Sequence, residues 1–179
     1  MTRTRIIAVL ITALIAILVV SSTLGREIYA GRTPSLTSFA LIHFAGYLFF
    51  LLMPVEALVP IYQAEEHAAG VLILIALVTA LAAQAIDYGI GRAVKEEAVH
   101  KVIGQARYTR FKNIIARWGG LAILLFNLFP LSSPNMMLVA GITRYNAARS
   151  FLYSLTGLTV KYTALVYAFD WAAAWISRS

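Results

Sequence analysis

The sequence predicts an all-α integral membrane protein, with transmembrane helices, two apolar segments interrupted by prolines, and a cytoplasmic amphipathic linker. Three observations predict it. Hydrophobic residues make up 60% of the 179 and charged residues only 13%, with a mean hydropathy of +0.78, whereas soluble chains carry roughly 25% charged residues. The charges gather in short stretches, and the gaps between them approach the roughly 20 apolar residues that cross a bilayer core. Two of the gaps are broken by prolines and polar side chains, "MPVEALVP" at 53–60 and "NLFPLSSPNM" at 127–136. No shift in composition divides the chain, so residues 1–179 read as one membrane domain.

Residues 6–25 carry no charge and follow Arg3 and Arg5. The run is longer than the roughly 7–15 apolar residues of a signal-peptide core, and no clean small-x-small site follows, so it reads as a retained first helix. A second run, 33–55, ends in the first interruption; a third, 68–86, ends in "DYGIGR"; a fourth, 118–143, contains the second interruption. The last run, 150–175, carries Lys161 and Asp170. Between positions 92 and 117 lie seven basic residues, Arg92, Lys95, Lys101, Arg107, Arg110, Lys112 and Arg117, against Glu96 and Glu97. Val94, Ala98, Val99, Val102 and Ile103 recur at helical spacing, which predicts an amphipathic helix lying on the membrane surface. Basic residues beside spans mark the cytoplasmic side and contact anionic lipid. The N-terminus, with Arg3 and Arg5, belongs on that side of a multi-pass protein of the cell membrane. Nucleic acid is not an expected partner of a linker tied to spans at both ends.

Parity tests the interrupted runs. An even number of crossings must separate two cytoplasmic segments, yet three apolar runs lie between the N-terminus and Arg92. One run must enter and leave by the same face. The run holding Pro54 and Pro60 is the natural re-entrant hairpin, because proline cannot continue a helical hydrogen-bond ladder and a turn at membrane depth is tolerated under a cover of protein or water. The run holding Pro130 and Pro134 either does the same from the opposite side or is a kinked span. Paired interruptions in corresponding positions of two halves point to a binding site between inverted repeats.

Glu56 is the first candidate site residue. An ionisable group at membrane depth costs about 2.5–3.5 kcal/mol on insertion scales and normally faces a bundle interior or a water cavity. It either binds substrate and proton or caps the free amides after the break. Arg92 ends a span, where it either holds a lipid phosphate or snorkels to the interface; Arg144 and Arg149 face the same choice. Asn127, Ser132, Ser133 and Asn135 surround Pro130 and Pro134, where they satisfy freed backbone groups, line a polar groove, or both. Lys161, deep in the last run, snorkels, pairs with Glu56 or lines the cavity. Gly89 and Gly91 around Tyr88 are expected to permit close helix packing.

No Cys is present, so disulfides and thiolate metal sites are excluded. His43, His67 and His100 lack ligand spacing, and no G-x-x-x-x-G-K-[ST] loop occurs. No metal or cofactor is expected, nor is an enzyme.

"PVEALVP" resembles the P-x-E-x-x-x-P stretch of DedA proteins, the prokaryotic members of the VTT or SNARE-associated superfamily. "YGIGR", with Tyr88, Gly91 and Arg92, is similar to that family's Y-x-x-G-R. "FPLSSPNMMLVAG" resembles its F-x-P segment, which leads to an Ala-Gly ending here at Gly141, and Phe151 and Gly157 follow at familiar offsets. The resemblance covers residues 35–160 as a core, after a first helix and loop at 1–34 and before the end of the last helix and tail at 161–179. It implies two facing re-entrant hairpins forming an inverted repeat, and movement of lipids between leaflets. Bacterial members are associated with polyprenyl-phosphate carriers and eukaryotic relatives with phospholipid scrambling. The chain departs from the pattern at three positions. Asn127 and Ser133 stand where bacterial members often carry arginines around the second proline, and Gln84 stands where many have an acidic residue.

The expected function is therefore a lipid flippase or scramblase acting on a phospholipid or polyprenyl-phosphate-type carrier, with Glu56 and the second interruption sharing one site. Membrane lipids are the partners, protons a candidate coupled ion, and homo-oligomerisation is left open. The alternatives are a proton-coupled small-molecule exporter and a non-transporting membrane assembly factor.

Overall fold

The computed structural model describes Leu14, Leu18, Glu96 and residues 20–49, 55–93, 104–129 and 133–176. Pro54, Pro130, Ser132, most of run 6–25 and the stripe from Val94 to Ile103 lie outside them. The described residues are helical apart from short turns, and they form no strand.

A π-helical turn, Ser21–Gly25, runs into α1 (Arg26–Tyr29). Gly31 ends α1 with φ +62°, the left-handed conformation that glycine adopts without strain. The Arg32 amide reaches back to the Glu27 carbonyl at 2.9 Å. Ser35 then caps α2 (Leu36–Phe49), its hydroxyl accepting the Ser38 amide at 3.2 Å. A 3-10 turn, Val55–Ala57, leads into α3 (Leu58–Ala64), where Pro60 occupies the first turn and its missing N–H leaves no intrahelical bond unmade.

α4 (Ala69–Ala93) continues through "DYGIGR", which the sequence placed at the end of a span. α5 (Gln105–Trp118) is the amphipathic element of the basic region, burying Tyr108, Phe111 and Ile115 while Arg107, Arg110, Lys112 and Arg117 stay exposed. The stripe expected to carry this amphipathicity lies outside the described residues. The working stripe is the one at 108, 111 and 115. Gly119, at φ +53°, turns the chain directly into α6 (Gly120–Leu128). α7 (Ser133–Ile142) follows, with Pro134 again in a first turn. α8 (Ala147–Ile176) starts where Asn146 Oδ1 accepts the Arg149 amide at 2.9 Å.

The apolar core forms two clusters. One joins α2, α3, the first part of α4 and the middle of α8 through Phe39, Leu58, Tyr62, Leu72, Leu158 and Tyr162. The other joins α5, α6 and α7 to Tyr88 of α4 through Tyr108, Phe111, Ile123, Met136 and Met137, with Phe151 of α8 packed against it. α4 and α8 thus run through both halves, and each half adds a pair of shorter helices, α2–α3 in the first and α6–α7 in the second, where α5 joins as well.

The pairs enter from opposite ends of α4. His67, just before α4, bonds the Pro34 carbonyl just before α2 at 2.6 Å, and His43 of α2 meets Thr79 of α4. In the other half Gln84 meets Asn127 at the end of α6, whereas Gly91 meets Leu138 and Gly141 towards the end of α7. A Cβ on Gly91 would lie 2.1 Å from the Leu138 carbonyl oxygen, and one on Gly141 2.2 Å from that of Tyr88. This backbone contact is what Gly91 is for. Gly89 has nothing within 4 Å and takes no part.

Outer surfaces are apolar. Val71, Leu74, Val78, Ile86 and Ile90 of α4 are exposed, and so are Leu152, Leu155 and Val160 of α8. α4 is long and apolar enough to cross a membrane, yet only 28% of its most apolar stretch is buried within the protein. A core helix of a soluble domain would be mostly covered.

Candidate functional site

The first half holds an ion pair. Lys161 of α8 donates to Glu56 Oε1 at 2.8 Å and to the Tyr47 hydroxyl at 2.8 Å. Its ammonium also lies 5.4 Å from the Tyr47 ring centroid and 5.2 Å from that of Tyr162, within cation–π range. Behind Tyr162 stands His43, whose Nε2 is 2.7 Å from the Tyr162 hydroxyl and whose Nδ1 is 2.7 Å from Thr79 Oγ1. Thr79 in turn donates to the Ile75 carbonyl at 2.7 Å, which makes its hydroxyl an acceptor towards Nδ1–H and leaves Nε2 to accept from Tyr162. The side chains differ in access: Lys161 is 6% exposed and Glu56 19%. Glu56 and Thr79 are the partly exposed ends of a polar chain whose middle, Lys161, Tyr47, Tyr162 and His43, is buried.

At the outer end of the same half, Glu27 accepts from the Ser35 amide at 3.0 Å, from the Ser35 hydroxyl and from the Ser38 hydroxyl at 2.6 Å. Ser38 Oγ also lies 2.7 Å from the Tyr62 hydroxyl, so one carboxylate ties α1 to both α2 and α3. Burial pushes Glu27 up, but the Ser35 and Ser38 hydroxyls and the Ser35 amide outweigh it and hold the carboxyl below its usual value.

The second half is built from amides. Gln84 Nε2 donates to Asn127 Oδ1, and Asn127 Nδ2 donates to the Ile123 carbonyl at 2.8 Å and to Ser154 Oγ at 3.2 Å. Ser133, Asn135 and Asp87 are buried nearby on α7 and α4. Gln84 and Asn127 are two of the positions at which the chain departs from the DedA pattern, and they bond to each other. The pair is neutral, and it joins α4 to α6 without a charge on either side.

The structure brings Glu56 and Lys161 together, one of the pairings the sequence left open. The hydrogen-bond partner of Glu56 comes from α8, while Asn127, Ser133 and Asn135 belong to the other half, whose tip at 130–132 lies outside the described residues; among the described residues no hydrogen bond joins the two groups. α8 is the link. Ser154 and Lys161 are seven residues apart, two turns on one helical face, or about 10 Å along the axis.

Arg92 is exposed at the end of α4, its Nη1 3.5 Å from the Tyr88 hydroxyl. Tyr88 donates to the Tyr145 carbonyl at 2.6 Å, fastening α4 to the turn before α8. Asp170 pairs with Gln63, which donates to it at 2.6 Å. Sequence reasoning missed His43, Tyr47, Thr79 and Tyr162. The available signal was His43 and Tyr47 at i and i+4, two polar side chains on one face of an apolar run.

The fold is a helical bundle with exposed apolar faces on α4 and α8 and a half-buried ion pair between α8 and the turn before α3. The family model for the VTT domain matches residues 34–170. The chain belongs to that family, the DedA/SNARE-associated domain, whose proteins are membrane-associated. No curated protein and no solved structure matches it.

Proposed function

We propose that this chain is a multi-pass transporter that moves a phospholipid or polyprenyl-phosphate-type carrier between membrane leaflets, without chemistry on the lipid, and that Glu56 protonation is coupled to the movement. The Glu56–Lys161 pair carries the reading. A buried ion pair is stable only while both charges face each other, and here one partner is accessible. Protonating Glu56 frees the Lys161 ammonium for a headgroup phosphate; ionising Glu56 recaptures Lys161 and releases it. The acyl chains stay against the exposed apolar faces of α4 and α8 throughout.

In this reading α2–α3 and α6–α7 are re-entrant hairpins entering from opposite faces. The exposed Arg92, Arg107, Arg110, Lys112, Arg117, Arg144 and Arg149 mark the cytoplasmic side. Trp171 and Trp175, exposed at the far end of α8, anchor the opposite interface.

Liposomes containing the protein and a fluorescent phospholipid test it. An external quencher should reach the inner-leaflet probe faster than in protein-free vesicles, and Glu56→Gln should abolish the gain. Unaccelerated exchange alongside a substrate-dependent proton flux would overturn the reading in favour of a small-molecule exporter.

A further inference from the structure

The buried stripe of α4 runs through Ala80, Ala83, Gln84, Asp87, Tyr88 and Gly91. Gln84 reaches Asn127 at the end of α6, and Gly91 crosses α7 at Leu138 and Gly141. Asp87 lies between these contacts on the same face, so it points at the helix pair, level with the part of α7 that holds Ser133 and Asn135.

Three polar atoms in this interface have no hydrogen-bond partner: Asp87 Oδ2, Gln84 Oε1 and Asn135 Nδ2. All three side chains are more than nine-tenths buried, at 8%, 0% and 8% exposure. Among the described residues no cation is paired with the carboxyl. α6 and α7 carry no titratable side chain. Arg92, on the same helix, is exposed and near the Tyr88 hydroxyl; Tyr88 itself is spent on the Tyr145 carbonyl. From α8, Arg149 is exposed, Tyr153 packs on Gly120, and Lys161 is held by Glu56 and Tyr47 two turns past Ser154. His43 of α2 is engaged by Thr79 and Tyr162.

An ionised carboxyl without a counter-charge is costly in apolar surroundings. We propose that Asp87, with Gln84 and Asn135, forms a monovalent-cation site, for a proton or a sodium ion, in the second half of the protein. The orphaned atoms suit both states. None of the three bonds another as placed, and a rotation of the Asp87 side chain would let it donate to Gln84 Oε1 when protonated or accept from Asn135 Nδ2 when ionised. For sodium, Asp87 Oδ2 and Gln84 Oε1 are oxygen ligands, and one charge balances one charge. The site lies apart from Glu56 and stands whether or not the cargo is a lipid.

Thermal unfolding of the full chain in nanodiscs tests it, over a pH series and with sodium chloride exchanged for choline chloride. The wild-type midpoint should rise as pH falls, if the ion is a proton, or as sodium replaces choline, if it is sodium. Asp87→Asn, a neutral isostere, should lose that response, whereas Glu56→Gln should keep it, which separates this result from a failure of lipid exchange. Identical responses in wild type and Asp87→Asn would overturn the proposal. Should Asp87→Asn fail to fold, infrared difference spectra of the wild type decide. A protonated-carboxyl band that persists at neutral pH in Glu56→Gln, where exposed carboxylates are ionised, or that disappears when sodium replaces choline, supports the site, and the absence of such a band at neutral pH in both salts overturns it.

Discussion

The two halves of this bundle bury a carboxyl in different ways. In the first, Glu56 meets a lysine of the same chain at 2.8 Å, and tyrosines cover the lysine. In the second, Asp87 sits among neutral amides, and among the described residues no cation is paired with it. An internal counter-charge makes a state that is stable until something competes for it. A carboxyl left among amides depends on an ion from outside. Both arrangements hang on α4 and α8, so a change in one half has a rigid path to the other.

Removing the internal cation should therefore have the largest effect. Lys161→Met strands Glu56 as a partly buried, unpaired charge, a loss expected to cost about 3–5 kcal/mol. Adding Glu56→Gln should recover most of it, as read from chemical unfolding in detergent. If Lys161→Met cost no more than Asp87→Asn, the contrast between the halves would collapse.

Packing at the second half comes next. Gly91→Ala drives a Cβ into the Leu138 carbonyl, 2.1 Å away, and backbone cannot yield as a side chain does, so a loss of about 1–3 kcal/mol is expected. Gly89→Ala meets nothing and should gain up to about 1 kcal/mol from helix propensity. Opposite signs two residues apart, measured by the same unfolding, would locate the close approach.

The amide pair offers a sharper comparison. Asn127→Leu leaves the fully buried Gln84 without its partner, at about 1–3 kcal/mol. Gln84→Glu and Asn127→Arg should each destabilise alone and rescue one another together. A double-mutant cycle with no coupling would break the view that these two positions act as a pair.

The smallest effect is expected at Glu27. Its carboxyl is held below the usual value, so its contribution is present above the ordinary carboxylate range and is lost as pH falls through the lowered folded-state value. Acid titration of stability should show this loss in the wild type and not in Glu27→Gln.

Much of this was legible without coordinates. Charge-poor apolar runs marked α2, α4 and α8, the last despite Lys161 and Asp170, because a long apolar run reads as a helix residue by residue. Pro60 and Pro134 fell at helix starts, where their missing N–H does no harm. Glu56 and Lys161 stood out because each is an expensive residue wherever its helix lies. The stripe expected at 94–103 lies outside the described residues, and the second one, Tyr108, Phe111 and Ile115 of α5, went unnoticed because its apolar residues stand among four cations and polar side chains. Asp87 was passed over because its neighbour Tyr88 belongs to the recognisable motif.

The sequence by itself determined that the chain is helical and strongly apolar, and that it carries a carboxyl between two prolines. These follow from composition, periodicity and the cost of burying charge, which act over a few residues. Only the tertiary structure decided that Glu56 closes on Lys161, 105 residues away, and that Gln84 closes on Asn127, 43 residues away. Such pairs depend on the rotation and depth of whole helices. Those are set by how closely two backbones can approach, as at Gly91 and Gly141, and no local pattern encodes that fit.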